Sequence, residues 1–224
     1  SQDFIEVVNE GLTTQHVPLG DIGRWDSRRA TPGLVRTIGT VTFVEGPKQI
    51  VVQSADNGAR VKTLRPHEAI PGDTLEFKGL PDTDGYFVGL RYASSSPSST
   101  LLPVDDPLGD EDALSRENAF RLVTLSGQFI GREGRILNLE SRGQLVPVTL
   151  PETFPPDTLP AEGSAINITG VKIVDADERG ELRSVTVMMR SQNDLVVLAT
   201  PSWWTPKRYC CLLYTSPSPR DRSL

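Results

Sequence analysis

Apolar positions in this chain recur with period two in short runs, and almost nowhere with the 3.6-residue period of a helix. "VRTIGTVTFV" (Val35–Val44) places Val35, Thr37, Gly39, Val41 and Phe43 on one face. Gln49–Ser54, Ala59–Leu64, Asp73–Leu80 and Tyr86–Ala93 follow in the same style. Turn residues bound these runs: Gly46-Pro47, Asn57-Gly58, Pro71-Gly72-Asp73 and Asp84-Gly85. Alternating runs rich in Val, Phe, Thr and Tyr between Gly/Pro breaks predict five strands of a small β-barrel or sandwich. Asn57-Gly58 gives the strongest hairpin signal, because both central residues of a type I′ turn need positive φ.

The pattern then restarts. "LVTLSGQFIGREGRILNLESRGQLVPVTL" repeats the first half, with Leu34-Val35 matching Leu122-Val123 and Gly39 matching Gly127. "PGDTLEFKGL" (Pro71–Leu80) matches "AEGSAINITGV" (Ala161–Val171), and "YFVGLRYASS" matches "LRSVTVMMRSQ". A period of about 88 residues is too long for a solenoid unit and suits a duplicated domain. Between the copies, Ser94–Asn118 is small, polar, acidic and Pro-containing, which reads as a linker. A short helix is predicted near Glu111–Glu117, where acidic residues suit a first turn.

The strand order in each copy is a long first strand, a hairpin, a third strand, a Pro-rich connection and two more strands. That is the order of a five-stranded Greek-key barrel of the OB kind. Gly39 and Gly127 are expected to let the long first strand bend and serve both sheets. "RPHEAIPGD" and "PETFPPDTLPAEG", between strands three and four, are too short and proline-rich for more than a loop or a single turn. The expected architecture is all-β, two tandem OB-like small barrels joined by an acidic Pro/Ser linker. Its expected divisions are 1–33 (leader or end of a preceding domain), 34–95 (first barrel), 96–118 (linker), 119–200 (second barrel), 201–210 (juxtamembrane segment) and 211–224.

That last stretch is anomalous. "CLLYTSPSPRD" (Cys211–Asp221) can be read as an in-frame translation of a transposase sequencing adaptor, so Cys211–Leu224 is expected to be foreign to the protein. The chain carries a net charge of −6, and without Arg220, Asp221 and Arg222 of that tail about −7. An acidic surface argues against a basic face for nucleic acid or anionic lipid. With Cys211 set aside, at most one native cysteine remains, Cys210, so no disulfide framework or cysteine metal site is expected. No run of 18 apolar residues is present.

Candidate chemistry is sparse. The two histidines, His16 and His67, lie in the leader and a loop, and no Ser-His-Asp order or G-x-S-x-G elbow accompanies them. "DTDG" (Asp82–Gly85) and "DADERGE" (Asp175–Glu181) look like half of a calcium loop, but they fall where hairpins turn and lack the closing Glu spacing. No catalytic, cofactor or metal residues are expected. The strand aromatics Phe43, Phe77, Tyr86, Phe87, Tyr92 and Phe129 are few, with Phe43 reading as core. Lys48, Lys62, Lys78 and Arg91 are dispersed among acids, so single-stranded nucleic acid is not an expected partner.

The last native stretch, "GELRSVTVMMRSQNDLVVLATPSWWTPKR" (Gly180–Arg208), resembles the end of the extracytoplasmic sensor region of bacterial membrane-bound sensor histidine kinases and related two-component or diguanylate-cyclase receptors. The matching positions are Arg190, Ser191, Asp194, Val196, Val197, Leu198, Pro201, Trp203, Trp204, Thr205 and Arg208. "LVTLSGQ", "PGDTLEFKGLP" and "GSAINITGV" resemble that region's tandem OB-like modules. The resemblance implies a non-catalytic periplasmic sensory or interaction module, truncated before a transmembrane helix, from a homodimeric parent. Its partner would be an unknown ligand or periplasmic protein. Trp203, Trp204, Lys207 and Arg208 are the expected membrane-interface residues, since Trp suits the headgroup boundary. A soluble OB-type module for an oligonucleotide or oligosaccharide is the competing expectation.

Overall fold

The computed structural model describes residues 14–22, 33–82, 87–100, 102, 106–115, 117–176 and 182–201. Its strands are β1 (Gln15–His16), β2 (Val35–Gly46), β3 (Gln49–Ser54), β4 (Asn57–Thr63), β5 (Thr74–Pro81), β6 (Gly89–Pro97), β7 (Leu122–Glu133), β8 (Ile136–Ser141), β9 (Gln144–Thr149), β10 (Ala165–Ala176), β11 (Leu182–Met189) and β12 (Leu195–Ala199). Among the described residues one α-helix, α1, covers Asp110–Leu114.

Two rings close, as the repeat predicts. In the first, β2 pairs antiparallel with both β3 and β5, β5 pairs with β6, and the parallel pair β4–β6 completes the circuit. The second ring runs β7, β8, β9, β11, β10 and back to β7, with β9–β11 as its parallel pair. These are two tandem five-stranded barrels with OB-like topology. The first strand of each serves both sides. β2 pairs with β5 over Val35–Thr40 and with β3 from Thr40 onward. β7 hands over in the same way at Gln128. Gly39 and Gly127 lie beside these hand-over points, and a Cβ on Gly127 would sit 2.4 Å from the Glu140 carbonyl oxygen.

The barrels have separate interiors. Ile50, Val61, Phe77 and Leu90 are fully buried in the first, and Leu125, Leu139, Ile166 and Val187 in the second. Each such side chain contributes about 1.5–3 kcal/mol relative to exposure. The segments that precede the barrels contribute as well. Val17, Leu19 and Ile22, in what reads as a leader, are buried in the first core. Leu108, Leu114 and buried Ala113, in what reads as linker, pack on the second. Both segments run parallel to the first strand, at Gln15↔Val35 and Leu108↔Val123, before a helical turn. Both also contain Pro-Leu-Gly-Asp, at Pro18–Asp21 and Pro107–Asp110.

Several local expectations shift. The hairpin of β3 and β4 turns at Ala55-Asp56, with Ala55 at φ 46°, and Asn57 and Gly58 begin β4. This register sets Ile50 opposite Val61 and Val52 opposite Ala59, so the buried face outweighs the Asn-Gly turn preference. The turn with two positive φ values occurs in the second barrel, at Arg142 (51°) and Gly143 (76°). Phe43 leaves the face of Val41, because the ladder skips Thr42 between Val41↔Val52 and Phe43↔Val51. Val44 then packs on the first core and Phe43 outside it. The fifth strand starts at Gly89 and continues through Ser94–Pro97. The Pro-rich connections are a loop and a single 3-10 turn (Pro156–Thr158), as expected.

Candidate interaction surface

Among the described residues, polar and apolar groups come together at the seam between the barrels, at the buried lysine under the linker, and at β12.

The seam is small and specific. Val51, Phe120, Leu122 and Val171 are buried there, with Phe43, Phe87, Ala119 and Ile173 packed against them. Phe87 meets Phe120 edge to face at 5.8 Å, and the Arg60 guanidinium lies 4.9 Å from the Phe120 ring centroid. Beside them opens a cleft of about 170 Å³, lined by Arg60, Lys62, Asp82, Phe87, Val88, Gly89 and Phe120. Arg60 is bound to Glu45 at 2.9 Å, and Lys62 to Asp82 at 3.0 Å. These cations already face carboxylates, so the cleft does not offer the free positive charge on which phosphate binding depends. A cleft of this size is also below the usual range for drug-sized ligands.

Lys172, on β10, is fully buried. Its Nζ donates to the Asp112 carbonyl at 2.7 Å, to the Glu117 carbonyl, and to Ser115 Oγ at 3.4 Å. A cation thus binds the Asp112 carbonyl in the last turn of α1 and the Glu117 carbonyl beyond it, and holds the linker on the second barrel. Burial lowers its pKa from 10.5 to about 8, against the pull of Asp112 and Glu117. Neither the repeat nor the periodicity signals this residue; a lysine at an inward position of a strand is the one available cue.

β12 gives a geometry to part of the C-terminal motif. Arg190 donates to Asp194 (Nη2–Oδ1 2.8 Å), and Asp194 Oδ2 accepts from the Ser191 N–H at 2.9 Å. Ser191 and Asp194 form a capping box around the 3-10 turn Gln192–Asp194, which redirects the chain after β11. β12 then pairs antiparallel with the first half of β10, Ile168↔Leu195 through Ala165↔Ala199, with a bulge before the last pair. Leu195 packs on the second core. Val196, Val197 and Leu198 are 53%, 43% and 55% exposed. Arg190, Ser191 and Asp194 therefore build the turn that launches an exposed apolar strand.

Trp203, Trp204, Lys207 and Arg208 lie outside the described residues, as do Tyr86, most of "DTDG" and the end of "DADERGE". Among the described strand aromatics, Phe77 and Phe129 are buried, Phe43 and Phe87 face the seam, and Tyr92 is exposed. His67 bonds the Gly46 carbonyl at 3.0 Å. No group of three or more His, Cys, Asp or Glu suited to a metal occurs among the described residues. No described helix is long and apolar enough to cross a membrane.

No family model matches the chain, and no curated protein matches it. Among solved structures it is similar to OBody AM3L09 bound to hen egg-white lysozyme, with 21% identity over 37% of this chain and 86% of that one, TM-score 0.28. It is similar to the p204 HINb domain, with 11% identity over 72% and 95%, TM-score 0.31. A third likeness is a multidomain protein with nucleic acid binding domains from Streptococcus pneumoniae, with 13% identity over 71% of this chain and 46% of that one, TM-score 0.22. None of these likenesses carries a functional argument.

Proposed function

We propose that this chain is a non-catalytic interaction module of a membrane-anchored signalling receptor of the sensor histidine kinase kind, placed on the extracytoplasmic face. The two barrels receive a ligand or protein partner, and the chain carries the response into a membrane helix beginning after Arg208. The observation that carries this reading is the path of the C-terminal motif. The Arg190–Asp194 turn leads into the apolar strand β12, which Thr200, Pro201 and "SWWTPKR" follow in the sequence. Trp203 and Trp204 followed by Lys207 and Arg208 have the composition of a membrane-interface belt, with aromatic rings for the acyl boundary and cations for phosphates. A sensory module also needs a rigid connection between its binding surface and its exit strand. The packing at the seam and the Lys172 contact are consistent with that need.

The parent gene tests this reading. Translated past Tyr209, it is expected to encode about 20 consecutive apolar residues. A stop codon or a polar continuation at that point overturns the proposal.

A further inference from the structure

The charged groups that line the cleft beside Phe120 occur in only one of the two copies. The hairpins of both barrels share one register, which makes the comparison direct. Counted from the turn, Val51↔Arg60 and Gln49↔Lys62 in the first correspond to Asn138↔Pro147 and Ile136↔Thr149 in the second. Through the pairs Val61↔Leu90 and Pro81↔Leu90, against Val148↔Val187 and Lys172↔Val187, Asp82 corresponds to Ile173. The second copy closes the same ring with Pro147, Thr149 and Ile173. The fold therefore does not require charge at Arg60, Lys62 and Asp82.

Arg60 and Lys62 alternate along β4 with buried Ala59, Val61 and Thr63, so both stand on its outer face. Gly89, paired with Arg60, lines the cleft without a side chain. Asp82 is sheltered, 14% exposed, whereas its partner Lys62 is 52% exposed. The Arg60 Nε–H is buried and has no hydrogen-bond partner among the described residues, so the guanidinium's donors are only partly used. Phe87 and Phe120 supply an apolar wall, and Phe120 belongs to the start of the second copy. The volume of about 170 Å³ is that of about five or six waters.

This arrangement selects among small molecules by charge. A lone anion at Lys62 lies against Asp82, and a lone cation at Asp82 lies against Lys62, since the two are 3.0 Å apart. A molecule that carries both charges close together meets each with its opposite and adds no net charge to a sheltered place. We propose that this cleft binds a free α-amino acid with an uncharged, apolar side chain. Lys62 and Arg60 receive the carboxylate, Asp82 the ammonium, and Phe87 and Phe120 the side chain. Because the cleft draws on both copies, the bound molecule bridges the seam. The site names a ligand for the barrels of the receptor reading, and rests on that reading only for its signalling consequence.

The test is calorimetric titration of the full chain, under reducing conditions, with L-valine, L-leucine and L-phenylalanine as probes. At least one is expected to bind saturably. Its analogues lacking the ammonium or the carboxylate (4-methylpentanoate and isoamylamine for leucine) should each bind about tenfold or more weakly. Lys62→Gln and Asp82→Asn should each weaken binding by about tenfold or more, while Arg132→Gln on the second barrel leaves it unchanged. Lys62 is half exposed, so Lys62→Gln should keep its melting temperature and near-UV dichroism. On titration, the amide resonances of Gly89 and Phe120 should shift and that of Leu139 should not. The proposal is overturned if none of the three probes binds, or if a single-charge analogue or inorganic phosphate binds as tightly as the amino acid. Binding indifferent to Lys62→Gln overturns it as well. A gene that stops after Tyr209 removes the receptor reading and leaves this site standing; three failed titrations do the reverse.

Discussion

Gln53 Oε1 accepts a hydrogen bond from the Leu122 N–H at 3.1 Å, and both residues are buried where the first barrel meets the second. One residue lies near the end of β3 and the other begins the second barrel, so this bond joins the copies at the seam, beside the Arg121–Asp56 ion pair at 3.6 Å. Gln53→Leu keeps the volume but orphans a buried N–H, which costs about 1–3 kcal/mol. Urea unfolding is expected to show that loss, and hydrogen exchange should show reduced protection at Leu122 while Leu139 in the second core stays protected.

The same seam constrains Gly58. A Cβ there would lie 2.4 Å from the Phe120 carbonyl oxygen and 2.8 Å from that of Ala119. Backbone cannot yield as a flexible side chain can, so Gly58→Ala is expected to push the barrels apart and destabilise the protein by about 1–3 kcal/mol. Gly109→Ala is the comparison, since nothing lies within 4 Å of that Cβ. Thermal melts of the two variants should separate clearly. Equal melting points would show that the seam is more pliable than its distances imply.

Asp194 holds the start of β12. Its carboxylate accepts from Arg190 and from the Ser191 N–H, and the Arg190–Asp194 pair is largely sheltered, with side chains 28% and 11% exposed. Asp194→Ala removes the capping box and the ion pair together, and is expected to cost about 1 kcal/mol. The loss should be local: amide exchange quickens at Leu195–Val197 and not in β8 or β9. If exchange in β12 is unchanged, pairing with β10 alone holds the strand.

The barrels were legible because alternation, turn residues and the repeat all report the same five-strand order. What lay beyond reach arose from packing between segments distant in sequence. Asn57-Gly58 has the chemistry of a turn, yet Gly58 serves the Phe120 carbonyl across the seam, a contact no local pattern can carry. Phe43 shares a period with Val41 until a bulge at Thr42 reverses its face. Val17, Leu19 and Ile22 are too few to read as an element, and they become core only by packing against strands distant in sequence. At the C-terminus the motif was visible while its role was not. Arg190, Ser191 and Asp194 act by building a turn, which the structure alone displays.

Lys172 makes stability depend on pH in a direction opposite to that of a surface lysine with an acidic partner. Burial lowers its pKa to about 8 from 10.5. Below pH 8 the group is charged in both the folded and unfolded chain, and the folded state carries the full cost of burying the ammonium. Between pH 8 and 10.5 the folded chain releases the proton before the unfolded chain does. The unfolded state then binds more protons, so this residue's contribution to stability rises with pH across that window. A shift of this size corresponds to about 3 kcal/mol when the window has been crossed. The neutral amine still has hydrogens to donate to the Asp112 and Glu117 carbonyls, so the linker contact survives the change. Lys172→Met should remove the slope. The check is urea unfolding of both proteins at intervals from pH 7 to 10.5, with the difference in free energy plotted against pH. A difference that stays flat, or that moves in favour of Lys172→Met as pH rises, would mean that the ammonium is not held at a cost inside the fold.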